Sequence, residues 1–120
     1  MDFDWKEYLT LAHALQQQSA SGSTPEAALR SAVSRAYFAA FCHARNYARD
    51  RHGLRLRYSG DDHYLVKQHF SNRRERGVAQ KLNRLREWRN KCDYEDAIPD
   101  LATLLTSALS EAQMVIAILK

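Results

Sequence analysis

Near the end of one amphipathic segment, four polar residues carry the functional groups that bind phosphate or move protons. They are Arg89, Asn90, Asp93 and Tyr94. Arg89 follows Leu82 and Leu85 on an apolar stripe, at a position where a further apolar residue is expected. Burying a guanidinium is costly unless it meets a carboxylate, and Asp93 lies four residues further on the same helical face. The spacing predicts an Arg89–Asp93 ion pair, which either belongs to a site or is a purely structural contact.

A second cation for this site is expected from an earlier segment. Ser34 and Arg35 lie in a helical pattern rich in small residues, and we expect that helix to pack antiparallel to the one that holds Arg89. Two guanidinium groups, the Asn90 amide and the Tyr94 phenol would then form a phosphate cradle, because arginine binds phosphate oxygens in pairs. The same groups can stabilise negative charge that develops on phosphorus.

Positive charge is concentrated in the middle of the chain. Residues 45–91 hold fourteen Lys and Arg against five Asp and Glu, whereas the whole chain of 120 residues has a net charge of +4. This asymmetry predicts a polyanionic partner. The alternative is that long arginine side chains only solvate exposed helix faces. The candidate nucleic-acid or phosphate contacts, besides Arg35, are Arg86, Lys91, Arg73 and Arg74.

The cysteine and histidine pattern predicts neither a metal centre nor a cofactor. Cys42 and Cys92 lack the paired spacing of a zinc site. We expect both to be buried small hydrophobes with free thiols, because the expected compartment is reducing. A disulfide between them is the minor alternative, since antiparallel packing of their helices would bring the two sulfurs close.

Five segments with helical periodicity position the polar cluster. They are expected at about residues 4–19, 25–52, 61–70, 78–94 and 99–118. Ser23 and Glu26 have the spacing of a capping box before the second segment, and Gly53 ends it. Residues 54–60 alternate apolar and basic side chains but have no second strand to pair with, so an extended loop is expected. The pattern predicts one all-α domain over residues 1–120.

Composition is typical of a soluble globular domain. Hydrophobic residues make up 45% of the chain and charged residues 27%, which differs from disordered and membrane proteins. No membrane span is expected, because no stretch approaches about 20 apolar residues. The acidic start at residues 1–5 does not fit a secretory signal, so the expected location is the cytoplasm.

Two segments of the chain resemble the HEPN domain family. They are Ser34–Phe41, SRAYFAAF, and Leu85–Tyr94, LREWRNKCDY, and the resemblance extends from the first to the fifth helix. It implies an up-and-down bundle of four to five helices that usually forms a homodimer, with the arginine motifs of both subunits in a shared cleft. Many members are metal-independent ribonucleases, often toxins encoded beside a minimal nucleotidyltransferase partner. Others act in antiviral defence or bind nucleotides.

The catalytic signature of that family is matched in part. Arg89 and Asn90 correspond to its arginine and the following polar residue, but the histidine about one turn further is absent, and Asp93-Tyr94 resembles another branch of the family. RNA cleavage through the 2′-hydroxyl needs a base and an acid, and histidine suits both roles near neutral pH. His43 is a candidate substitute. An aspartate paired with arginine is a poor acid, and a tyrosine ordinarily keeps its proton at neutral pH.

Three functions therefore follow from the sequence as hypotheses. The first is an RNA-directed toxin or effector of a prokaryotic two-component or defence system, with endoribonuclease activity as its catalytic form. The second is a non-catalytic module that binds a nucleotide, a nucleic acid or a partner protein. The third is a helical adaptor in which the Arg89–Asp93 pair is structural, and if that pair is buried, loss of Arg89 should cost about 3–5 kcal/mol of stability.

Overall fold

The computed structural model describes residues 2–120, which form five α-helices and no strand. The helices are α1 (Glu7–Ser19), α2 (Pro25–His52), α3 (Asp62–Asn72), α4 (Arg76–Tyr94) and α5 (Leu101–Ile118). The central helix is α2, which contacts each of the other four. The predicted all-α fold is confirmed, and residues 54–60 form the expected loop without a strand.

Small side chains allow the other helices to approach α2 closely. Its fully buried alanines are Ala32, Ala36, Ala39, Ala40, Ala44 and Ala48. All of them except Ala39 recur every four residues and form a low ridge against which larger side chains pack. Those larger side chains include Leu82 and Leu85 of α4 and Leu105 of α5, all with no exposed area. Each fully buried leucine contributes about 1.5–3 kcal/mol, so the apolar periodicity of α4 and α5 is what fixes them to α2.

Helix starts differ from the predicted ones. The capping box of Ser23 and Glu26 does not form, because Thr24 is the N-cap of α2 and makes no side-chain cap hydrogen bond. Pro25 in the first turn and Gly53 at the end, with φ of 70°, agree with the prediction. Asp4 accepts a hydrogen bond from the backbone N–H of Lys6, so the chain first makes a turn, and α1 begins three residues later than predicted. Helix α4 begins two residues earlier than predicted.

The loop between α2 and α3 is held by a buried carboxylate. Asp61 is the N-cap of α3 but makes no side-chain cap hydrogen bond, and Asp62 does not cap the helix. The two carboxylate oxygens of Asp62 instead accept hydrogen bonds from the backbone N–H groups of Arg57 and Tyr58, each at 2.8 Å. Because these donors lie in a loop with no strand to pair with, Asp62 supplies the partners that a sheet would otherwise provide.

Arg30 fixes the start of α2 to the end of α4. Its Nη1 donates to the carbonyl oxygens of Cys92 at 3.1 Å and Glu95 at 2.6 Å, and its Nη2 donates to the carbonyl oxygen of Asp96 at 3.0 Å. The last carbonyl groups of a helix have no partner within the helix, so a guanidinium is well suited to satisfy them. This contact confirms that α2 and α4 run antiparallel, and it lies next to the Asp93-Tyr94 end of α4.

Replacing Arg30 with alanine is expected to lower the free energy of unfolding by about 2 kcal/mol, because three carbonyl oxygens lose a charged donor. Arg30→Lys should recover only part of the loss, since one ammonium cannot reproduce the planar fork. Urea denaturation of both variants measures the effect, with Arg55→Ala in the exposed loop as the control for loss of one arginine. Equal stability of Arg30→Ala and Arg55→Ala would contradict the proposed role of the contact.

Both cysteines are free and buried, as predicted. Burial raises the pKa of the Cys42 thiol, and it raises the pKa of Cys92 to about 11. Both side chains therefore remain thiols near neutral pH, and they pack as small apolar groups in the hydrophobic core.

The expectation that no segment approaches the composition of a membrane span is wrong for α5. Its 18 residues have a mean hydropathy of 1.5, so this helix alone among residues 2–120 is long and apolar enough to cross a membrane. One third of it is buried within the bundle, where Leu105 and Leu109 face the core. Core helices of soluble proteins meet the same length and composition criterion.

Candidate functional site

Arg89 and Asp93 form the predicted ion pair at the edge of the core. The Nε atom of Arg89 lies 2.8 Å from Oδ2 of Asp93, and the two side chains are 26% and 29% exposed. The Nε–H group has no aligned hydrogen-bond partner, so this is an ionic contact whose geometry is not that of a hydrogen bond. Arg89 Nη1 donates to the side-chain oxygen of Asn90 at 3.1 Å. Because the pair is partly solvated, its loss should cost less than the 3–5 kcal/mol of a fully buried pair.

Arg35 and Arg89 meet at a single aromatic ring, Phe38. The guanidinium carbon of Arg35 lies 5.2 Å from the centre of the Phe38 ring, and that of Arg89 lies 5.3 Å from it. These distances are within the range of a cation–π contact, which stabilises each cation by about 0.5–1 kcal/mol at a partly exposed site. The antiparallel packing of α2 and α4 thus brings together the two arginines that the sequence placed in one cradle. Phe38 was not among the predicted site residues, although it lies one turn after Arg35.

A shallow depression beside Arg89 holds three of the four residues singled out from the sequence. It has a volume of about 570 Å³ and is lined by Glu87, Arg89, Asn90, Lys91, Tyr94 and Glu95. Tyr94 is 76% exposed, so its hydroxyl is accessible to a ligand. Asp93 is not part of this lining, because its carboxylate is engaged by Arg89. We refer to this feature as the Arg89 depression.

The remaining predicted phosphate contacts are only partly brought together. Arg86 lies on the exposed side of α4, one turn before Arg89, and Lys91 lines the depression. Arg73 and Arg74 lie in the loop before α4, about 20 Å from Arg89 along the helix axis. Arg73 is 3.9 Å from a carboxylate oxygen of Glu75, and Arg74 has a φ of 64°. These two arginines belong to a different part of the surface.

His43 does not face the Arg89 depression. Its Nε2 is bonded to the carbonyl oxygen of Leu119, and its ring lines a larger depression of about 690 Å³ between α1 and α5. No arginine is among the residues that line that depression, so it offers no guanidinium to a phosphate. The structure therefore places the candidate substitute for the missing histidine away from Arg89.

A different histidine, His63, lies nearer to the arginines of α4 but is buried. Only 6% of its surface is exposed, and its Nδ1 is 2.9 Å from the hydroxyl of Tyr37. Burial, with smaller effects of Arg86 and Lys67, lowers the pKa of His63 to about 4. Burial also raises the pKa of Tyr37, an effect that Arg86 and Arg89 oppose. His63 is therefore neutral near pH 7, and its surroundings exclude a bound nucleotide.

Comparison of the chain with known protein families, with curated proteins and with solved structures gives no match. The fold and the site define an all-α bundle in which two arginines from antiparallel helices share one aromatic ring beside an open polar depression. Within residues 2–120, no group of three or more His, Cys, Asp or Glu side chains is arranged to hold a metal ion. The functional groups at this site are the guanidinium, amide and phenol of Arg89, Asn90 and Tyr94, together with the Lys91 ammonium and the carboxylates of Glu87 and Glu95.

Proposed function

We propose that this chain is a HEPN-like protein that binds RNA through Arg35 and Arg89, as the toxin or effector component of a prokaryotic two-component or defence system. The observation that carries the proposal is the convergence of these two arginines on Phe38, together with the position of Arg89 in the lining of the Arg89 depression. In the same proposal, the chain forms a homodimer and has a minimal nucleotidyltransferase as a partner, as the resemblance to that family implies.

Both arginines retain donors for a phosphate. A guanidinium has five N–H groups. Arg89 uses Nη1 for Asn90 and keeps Nε against Asp93, so its other Nη donors are available. Arg35 donates from Nη2 to the hydroxyl oxygen of Ser34 at 3.4 Å, which is a long and weak contact. Guanidinium groups fixed on a ring lose little conformational freedom when they bind an anion, which favours phosphate recognition.

RNA binding is better supported than RNA cleavage. Cleavage needs a group that accepts the 2′-hydroxyl proton and another that protonates the leaving oxygen. His63 is buried against Tyr37 and His43 is bonded to Leu119, so neither histidine lines the Arg89 depression. Metal-independent endoribonuclease activity remains the second candidate, because Tyr94 and Arg89 line the same open depression and both can contact one phosphodiester.

The Arg89→Ala variant tests both candidates in one design. We expect it to bind labelled RNA at least about tenfold more weakly than the wild type, because a charge-assisted contact to phosphate is lost. The slope of the logarithm of the binding constant against the logarithm of the salt concentration should be shallower by about one. Its stability should fall by only about 1 kcal/mol. Filter binding at several salt concentrations gives the affinities, and circular dichroism verifies that the variant is folded.

Arg55→Ala serves as the matched control, because Arg55 is exposed in the loop between α2 and α3 and its loss changes the net charge equally. If Arg55→Ala and Arg89→Ala bind RNA equally well, the site is not at Arg89. Incubation of labelled total RNA with each protein in a chelator separates the two candidates. Cleavage by the wild type that is absent with Arg89→Ala supports the ribonuclease, whereas intact RNA throughout supports the binding module.

A further inference from the structure

A cluster of three aromatic rings lies on the surface at the start of the chain. The ring centres of Phe3 and Trp5 are 4.9 Å apart, those of Phe3 and Tyr8 are 5.2 Å apart, and those of Trp5 and Tyr8 are 5.5 Å apart. Phe3 is 44% exposed, and the other two rings are half-buried. We call these three residues the N-terminal aromatic cluster. An exposed aromatic group of this kind offers a flat apolar surface to a ligand.

Two arginines of α2 stack on the N-terminal aromatic cluster. The guanidinium carbon of Arg35 lies 4.7 Å from the centre of the Tyr8 ring, and that of Arg45 lies 5.4 Å from the centre of the Trp5 ring. Ten residues separate the two arginines, which corresponds to about 15 Å along the helix. The cluster is therefore bracketed by two positive charges.

Neither of these arginines is neutralised within the part of the chain that the structure describes. The ion pairs among residues 2–120 involve other cations, so no carboxylate oxygen lies within 4.0 Å of Arg35 or Arg45. Arg45 Nε donates to the side-chain oxygen of Asn46 at 3.0 Å, and Arg35 has only the long contact to Ser34. Most of the N–H donors on both groups are free for an anionic ligand.

This surface is continuous with the site at Arg89. Arg35 contacts Tyr8 at 4.7 Å and Phe38 at 5.2 Å, and Phe38 also contacts Arg89 at 5.3 Å. Arginine side chains and aromatic rings therefore alternate across the surface. The order is Arg89 of α4, Phe38 and Arg35 of α2, and Tyr8 at the start of α1. The combination of phosphate-binding cations and stacking rings on one surface is the arrangement by which proteins bind single-stranded nucleic acids.

We infer that the N-terminal aromatic cluster and its two flanking arginines bind single-stranded RNA, with a base stacked on Phe3 and phosphates bound by Arg35 and Arg45. The inference rests on the proposed function, because it extends the phosphate site at Arg89. A single strand is required, since the bases of an A-form duplex are stacked on one another and are not free to stack on an exposed ring of the protein.

The experiment measures the affinity of the full chain for a labelled ten-nucleotide oligoadenylate, alone and as a duplex with oligouridylate, by fluorescence anisotropy. The wild type should bind the single strand about tenfold or more tightly than the duplex. Phe3→Ala should raise the Kd for the single strand about tenfold, because one base loses its stacking partner. Arg45→Gln should raise the Kd about threefold or more, and the difference should shrink as salt is added. An affinity tag at the carboxyl end keeps the added residues away from Phe3 in the sequence.

Two matched variants control for general effects. Tyr64→Ala removes a ring that is 61% exposed on α3 and has no place in the N-terminal aromatic cluster. Arg51→Gln removes a cation that also stacks on a ring, that of Tyr47, with its guanidinium carbon 5.2 Å away. Both controls should keep the Kd for the single strand within about twofold of the wild type, because only non-specific charge or apolar area is lost.

The outcomes separate this inference from the proposed function. If Phe3→Ala and Arg45→Gln bind as their controls do while Arg89→Ala loses affinity, the inference is overturned and the proposed function stands. If Phe3→Ala and Arg45→Gln weaken binding while Arg89→Ala does not, the inference stands and the role of Arg89 is rejected. Equal affinity for single strand and duplex overturns the inference, and absence of wild-type binding to either probe overturns both proposals.

Discussion

Lowering the pH from 7 to 4 is expected to reduce the free energy of unfolding by up to about 3 kcal/mol through one residue, His63. In the folded protein its pKa is lowered to about 4, first by burial and then by the nearby charges of Arg86 and Lys67, whereas a histidine in the unfolded chain titrates near 6.5. Between these two values the unfolded state binds a proton that the folded state does not. Stability contributed by the neutral imidazole is therefore complete above pH 6.5 and is lost as the pH falls toward 4.

His63→Gln is the variant that isolates this effect. A glutamine can still form a hydrogen bond with the Tyr37 hydroxyl, as His63 does at 2.9 Å, but it carries no charge in this pH range. Urea denaturation from pH 7.5 down to 4 should show a markedly smaller loss of stability for His63→Gln than for the wild type. His13→Gln, at an exposed position on α1, should retain the full pH dependence. If the free energy of unfolding depends on pH equally in all three proteins, His63 is not the source of the pH dependence.

His69 is also expected to reduce the free energy of unfolding as the pH falls, by less than His63 does. Burial lowers its pKa, and so does the neighbouring His52, whose Nδ1 lies 2.8 Å from Nε2 of His69. Two imidazoles at this distance cannot both be protonated without strong repulsion. Some pH dependence should therefore remain in His63→Gln, and a further His69→Gln substitution should reduce it again.

Replacing Phe38 with alanine is expected to have two effects at once, because this ring is both part of the packing of α2 and the platform for two arginines. The half-buried side chain packs against the core, so its removal should lower the free energy of unfolding by about 2 kcal/mol. Arg35 and Arg89 also lose the ring that holds their guanidinium groups, so RNA affinity should fall by about tenfold or more.

Phe38→Leu separates packing from the positioning of the arginines. Leucine keeps most of the apolar volume, so stability should change by less than about 1.5 kcal/mol, but it has no π face for a cation. We expect an RNA affinity close to that of Phe38→Ala together with a stability close to that of the wild type. If Phe38→Leu binds RNA as tightly as the wild type, the ring acts only in packing, and Arg35 and Arg89 are positioned by other contacts.

Most of the predicted features that the structure contains are set by local spacing, and the antiparallel packing of α2 and α4 is the exception. The predicted and observed bounds of α2 agree, because Pro25 favours a first turn and Gly53 adopts the left-handed conformation that ends the helix. The Arg89–Asp93 pair was predicted because residues four apart are neighbours on any helix. The predicted capping box at Ser23 does not form, and Thr24 is the N-cap of α2. A short motif is compatible with a cap, but the path of the preceding linker decides which residue takes that position.

By itself, the sequence determined that the chain is helical, where its long helices lie, and that Arg89 of α4 pairs with the aspartate four residues further along the same helix, because each of these depends on neighbours within a few residues. Only the tertiary structure decided that Arg30 binds carbonyl groups more than 60 residues away, that Phe38 lies against two arginines, and that His63 is buried beside Tyr37. These contacts depend on how α2 packs against α3 and α4, and the side chains that fix such packing are spread over the whole chain, so spacing along the sequence does not reveal them.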